Sequence, residues 1–179
     1  MNKLLLGLAT LLISVGCSAS HTLKRADTIP SAPNLDPNRS MFVNLPADGT
    51  YSDKSYAGSG QSTATTIVTA FSRHLEHVDA SATTMSQDEG LQHAVAQGFT
   101  YFANPSILHW EDRATEWSGK PDRITFRVDL LEAATQTLLD SVTIQGTSKW
   151  ATFGGDHPED LLAKPLFDYA ASLFQSNTE

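Results

Sequence analysis

Apolar and polar residues alternate most strictly along Ile124-Thr125-Phe126-Arg127-Val128-Asp129-Leu130. Successive side chains of a strand point to opposite faces, so this run predicts a strand with one face buried. Leu138 to Trp150 repeats the pattern, with Val142 and Ile144 inward and Thr143 and Gln145 outward, and Glu132 to Thr137 between them reads as a turn. Upstream, Phe99 to Ala103 opens a strand that continues through Ile107 to Trp110. A bulge is expected at Pro105, which has no N–H to give to a ladder. These three runs predict an antiparallel meander.

The first half of the chain mixes the two periods. Ser40 to Leu45 reads as a short strand with Met41, Val43 and Leu45 on one face and Pro46 ending it, followed by a polar loop from Ala47 to Gln61. Ile67, Val68, Phe71, His74 and Leu75 then recur at helical spacing, with Ser62 or Thr63 as the N-cap. Val78 to Met85 returns to β-branched and small residues. Ser86 with Glu89 three positions later has the form of a capping box, opening a helix that carries Leu91, Ala94 and Val95 and stops at Gly98. After Gly154-Gly155, Asp156 to Glu159 has the same form, and Leu162, Leu166, Tyr169, Leu173 and Phe174 mark a terminal helix that Pro165 kinks or divides. The order β-α-β-α-β-β-β-α predicts a single α+β domain, a mixed and mostly antiparallel sheet with helices packed on one face.

The first residues belong to a different regime. Met1-Asn2-Lys3 is followed by about twelve apolar residues, Leu4 to Val15, too few to cross a bilayer core, which takes about twenty. This fits the apolar region of a signal peptide, residues 1–16. Ser14-Val15-Gly16 leads into Cys17, the single cysteine of the chain. The stretch resembles the lipobox of bacterial lipoproteins, with Ser14 where leucine is usual. The resemblance implies that the Cys17 thiol receives a diacylglycerol, that cleavage precedes it and that the freed amine is acylated, for example by palmitate. Ser18, where an aspartate would retain the product in the inner membrane, implies the outer membrane, with the domain facing the periplasm. Residues 17–38 are polar and broken by Pro30, Pro33 and Pro37, and read as a flexible tether, leaving residues 39–176 for the domain.

Charge and cysteine content narrow the chemistry. The formal net charge of −8 becomes −9 once Lys3 leaves with the leader, and no Lys/Arg cluster appears, so nucleic acid is not expected as a partner. With Cys17 acylated no thiol remains for a disulfide, a Cys–metal site or a cysteine nucleophile. His74 and His77, three apart near a helix end, supply two ligands where zinc takes three or four, and imidazoles there also suit the helix dipole. No metal or cofactor is expected. The glycines before the last helix do not make a phosphate site, because Asp156, Glu159 and Asp160 already place negative charge on that helix end.

The densest polar and aromatic segment is "HWEDRATEWSGKPDR", His109 to Arg123. Two carboxylates flanking a sugar could hydrolyse a glycosidic bond, with Glu111 or Glu116 as the acid. Neighbouring Arg and Lys, however, oppose the raised pKa that such an acid needs. Tryptophan and arginine are favoured anchors of protein interfaces, which makes Trp110, Arg113, Glu116, Trp117 and Arg123 candidate partner-binding residues. The alternative is that the tryptophans pack over the sheet and the charges are solvated.

The lipobox, "HWEDRATEWSGKPDRITFRVDLLEAATQTLLDS" and "SKWATFGGDHPEDLLAKPLFDYAASLF" together resemble a family of small proteobacterial lipoproteins known as domain of unknown function 4823. That family brings no activity and no catalytic residues. The strand and helix order is also similar to the fold of periplasmic lipoproteins that activate peptidoglycan synthases, of the N-terminal domain of the Tol-Pal translocation protein, and of curli-secretion lipoproteins. Fold likeness does not give function. The expectation is a non-enzymatic lipoprotein, held to the outer membrane through Cys17, that binds an envelope protein or scaffolds an assembly. The alternatives are a peptidoglycan hydrolase and a structural subunit of an envelope machine.

Overall fold

A computed structural model describes residues 19–112, 120–148 and 157–174. In chain order the elements are β1 (Ser20–Arg25), β2 (Ser40–Leu45), β3 (Thr50–Tyr51), β4 (Lys54–Ser55), α1 (Ser59–Phe71), β5 (His77–Thr84), α2 (Gln87–Ala96), β6 (Tyr101–Glu111), β7 (Arg123–Glu132), β8 (Thr137–Thr147), a 3-10 turn (Pro158–Leu161) and α3 (Ala163–Ser172). Six strands form one sheet in the order β1-β8-β7-β6-β2-β5, and β3 and β4 make a separate short hairpin. From β1 to β6 the neighbours are antiparallel, while β2 lies parallel to both β6 and β5. The expected class, a single α+β domain on a mixed and mostly antiparallel sheet, is the observed one.

The strict alternation is realised in β7, where Ile124, Phe126, Val128 and Leu130 are buried and Arg123 and Arg127 exposed. In β2 and β6 the apolar runs are unbroken, Met41-Phe42-Val43 and Tyr101-Phe102-Ala103, as in strands covered on both sides. Both sides are indeed covered, which corrects the expectation of helices on one face. Helices α1 and α3 pack with Met41, Val43, Phe126 and Ile144 in the main core. Helix α2 lies on the reverse face, where Leu91 and Ala94 meet Phe42, Phe102 and Leu131.

The tether of residues 17–38 also needs correction. Residues 20–25 are the strand β1, paired with β8 over six residues from Ser20↔Thr147 to Arg25↔Val142. Leu35 is 4% exposed, and its N–H donates to the Leu173 carbonyl at 2.8 Å. The cause lies on the core face of β8. Asp140 is fully buried, its Oδ1 accepting from Arg25 Nε at 2.7 Å and its Oδ2 from Arg25 Nη2 at 3.0 Å. The Tyr169 hydroxyl of α3 donates to the same Oδ2 at 3.3 Å. A buried carboxylate needs such partners, and the polar strand β1 brings the cation. The hydrogen bond to Asp140 raises the Arg25 pKa, and burial together with the Asp140 charge holds the Tyr169 hydroxyl well above the ordinary tyrosine value.

Three local differences have local reasons. Helix α1 starts at Ser59, ahead of the expected caps, because Asp48 Oδ1 in the preceding loop accepts from Gly58 N at 3.1 Å and Gly60 N at 2.9 Å. In β6 the register shifts between Ile107 and His109, whereas Pro105 pairs with Val128. Pro105 lies just past Ala103, the last pairing with β2, where β6 becomes an edge that tolerates proline. The final helix is preceded by a 3-10 turn whose first N–H, from His157, is taken by Asp160 Oδ2 at 3.0 Å. The cap of α2 is as expected: Ser86 N donates to Glu89 Oε2 at 2.9 Å and Glu89 N to Ser86 Oγ at 3.3 Å.

Asp140→Ala leaves the Arg25 guanidinium and the Tyr169 hydroxyl without their acceptor. It is expected to cost about 3 kcal/mol, read as a lower urea midpoint at unchanged slope. Hydrogen bonds from Ser86 lower the pKa of Glu89, so the capping box is at full strength above the ordinary glutamate value of 4.5 and weakens as pH falls below it. Below that pH the protection of the first-turn amides of α2 against hydrogen exchange should fall, and Glu89→Gln should remove this pH dependence.

Candidate functional site

The end of the meander holds the residues singled out from the sequence. Trp110 is 1% exposed and belongs to the main core, which overturns its assignment as a contact residue. Its place is set by Gly49, where a Cβ would stand 2.5 Å from Trp110 Cβ and 2.9 Å from Ile107 Cγ2. A residue without a side chain lets the β2–β3 connection press directly on the indole. Arg123 is exposed at the start of β7, in register with Glu111 on one side and Thr147 on the other. Cys17, Arg113, Glu116 and Trp117 lie outside the described residues.

Two clamps frame the connection between β6 and β7. On one side the Asp112 N–H donates to the Tyr56 hydroxyl at 3.4 Å. On the other the Asp122 N–H donates to Ser148 Oγ at 2.8 Å and the Ser148 N–H to the Asp122 carbonyl at 3.0 Å. Glu111, one of the two carboxylates of the hydrolase alternative, is only 2% exposed and stands 3.5 Å from His109 Nε2.

A groove that the sequence did not announce lies at the far corner of the sheet, between the edge strand β5 and the C-terminal half of α2. It has a volume of about 620 Å³, and Phe42, His77, Asp79, His93, Gln97 and Phe99 are among its walls. Its rings form a continuous set. His93 lies 4.7 Å from Phe42, Phe42 lies 5.4 Å from Phe99, and His77 stacks on Phe99 at 5.6 Å with the planes 16° apart. The Asp79 carboxylate stands 4.0 Å from His77 Nε2, both side chains largely exposed. Beneath α2 a chain of amides ties helix to sheet: Asn44 Nδ2 donates to the Met85 carbonyl at 2.9 Å and to Asn104 Oδ1 at 3.0 Å, and Asn104 Nδ2 to Gln87 Oε1 at 3.2 Å.

The structure therefore separates the two histidines expected to stand together. His77 joins His93 in the groove, while His74 stacks on Phe174 at 4.9 Å beside the main core. Among the described residues no group of three or more His, Cys, Asp or Glu is placed to hold a metal ion. Chemically the groove offers flat apolar walls, imidazole donors and one carboxylate. Along it β5 uses one edge for β2, and among the described residues no strand pairs with the other.

Trp110→Ala is expected to destabilise the domain by about 3–5 kcal/mol, since it empties a fully packed site. Thermal unfolding measures this, and a loss of partner recovery in that variant would report unfolding.

The fold is similar to that of PelC from Paraburkholderia phytofirmans, solved as a dodecamer, at 14% identity with 85% of this chain and 99% of that chain covered and a TM-score of 0.63. A second crystal form of that dodecamer gives the same TM-score of 0.63, with 84% and 98% covered. A Xanthomonas campestris protein of the DUF330 family is similar at 13% identity, 79% and 85% covered and a TM-score of 0.50. At these identities the likeness is one of fold. No curated protein matches the chain in sequence. Among the described residues no helix is long and apolar enough to cross a membrane. The sequence model of the family described as domain of unknown function (DUF4823) matches residues 33–173, and the chain belongs to that family.

Proposed function

We propose that this protein is a non-enzymatic lipoprotein of the bacterial envelope, acylated at Cys17 and held to the outer membrane with its domain in the periplasm, where it scaffolds an envelope protein. The reading is best supported by the edge of β5, which pairs with no further strand among the described residues, beside the ring-lined groove. Exposed strand edges are ordinarily protected by lysine, proline or a covering element. The β5 sequence, HVDASATT, contains neither residue, and its irregularity against β2 falls after Ala80, where Ser81 Oγ bonds the Thr83 main chain, leaving the run from His77 to Ala80 regular. An extended segment of a partner would add to β5 through its main chain and place alternate side chains among Phe42, His77, His93 and Phe99. Arg123 and the β6–β7 connection that precedes it form a second contact in this reading, with Trp110 as its core support.

A photo-crosslinking residue at Ala82, in the groove, is expected to trap a defined envelope protein in living cells, while one at Gln145, on the polar face of β8, traps none. Adding His77→Glu and His93→Glu should reduce the Ala82 adduct severely without shifting the unfolding midpoint. Equal trapping from the two positions would remove the groove from the proposal. Cys17→Ser should release the protein from the membrane fraction and abolish labelling by a lipid precursor.

A second reading, a subunit of a multimeric envelope assembly, draws support from the likeness to a chain solved as a dodecamer. Native mass spectrometry of detergent extracts would show it as a ring of defined stoichiometry.

A further inference from the structure

The domain begins very close to the proposed anchor. From Cys17 to Ser20 the chain takes three residue steps, at most about 11 Å when extended, and Ser20 is already paired with Thr147. In register, Ser20, Thr147, Arg123 and Glu111 lie abreast across β1, β8, β7 and β6, marking one end of the sheet. At this end Glu111 and Asp122 are buried and Arg123 is exposed.

The groove lies diagonally opposite. β2 and β5 run parallel to β6, and Ser40↔His77 begins their ladder near the end where Tyr101 faces Glu132. β5 is also the edge strand opposite β1. The rise along β8 makes the sheet about 33 Å tall and the spacing of six strands makes it about 24 Å wide, and with the usual strand-to-strand twist the two corners stand roughly 30 Å apart.

We propose that β1 is a rigid mount that holds the Ser20 end of the sheet against the phospholipid headgroup layer, with Arg123 toward its phosphates, and displays the β5–α2 groove on the membrane-distal side. The inference rests on acylation of Cys17, the reading given above. In the mounted pose the domain stands on its Ser20 end or leans on the β1 edge, and either way the groove faces away from the bilayer. A partner that reaches the groove comes from the aqueous space, and a segment lying flat on the membrane is excluded.

The test uses the full acylated chain in vesicles of phosphatidylethanolamine and phosphatidylglycerol carrying a lipid-borne energy acceptor. Ser20→Cys and Gln97→Cys, introduced one at a time, accept a donor dye because the sulfur of Cys17 is blocked by its thioether. The expected result is efficient transfer from position 20 and little from position 97, which lines the groove. Inserting about twenty Gly/Ser residues between Ser18 and Ala19, a coil with a span of roughly 25 Å, should erase most of the difference. Equal transfer from the two positions, in protein whose mass shows the acyl chains, would overturn the mount and leave the anchor standing. A mass without acyl chains would overturn both.

Discussion

The buried Asp140 carboxylate constrains more of this structure than any other group. It sits in the middle of the core face of β8, with no exposure to water, and accepts from Arg25 of β1 and Tyr169 of α3. Removing a charge from water is costly, and the cost is met here by a bidentate guanidinium and a phenol. Those partners lie on the first strand and the last helix, so the carboxylate binds the two ends of the chain to the sheet. His21 of β1, 3.4 Å from Asp168 of α3, adds a second and more exposed link between the same elements.

The meander was legible because β7 and β8 each have one buried face, and a period of two survives only in that situation. The α2 cap was legible because Ser86 and Glu89 are adjacent in sequence. What sequence reasoning missed depends on distant partners. Asp48 caps α1 from a loop ten residues away. The strand β1 hides its character because its core-facing residues include His21 and Arg25, which look like solvated positions until Asp168 and Asp140 are placed beside them. The second helical layer was foreshadowed by the unbroken apolar runs of β2 and β6, and the one-face expectation overlooked what such runs require.

The candidate site was less legible for the same reason. Indole and carboxylates clustered in sequence drew attention to residues 109–123, yet Trp110 at the end of β6 lies in the core while Arg123 at the start of β7 stays outside. The groove gathers Phe42, His77, His93 and Phe99 from three strands or loops and a helix. No spacing rule joins them. Only the crossing of β5 into α2 on the reverse face does so, and that crossing cannot be read without the layer assignment.

The pairing of β1 with β8 has a kinetic meaning. Arg25 and Asp140 are 115 residues apart, and closing so long a loop is slow compared with forming the β6–β7–β8 meander, whose strands follow one another directly. The strand β1 is thus expected to join the sheet after the meander that receives it has formed.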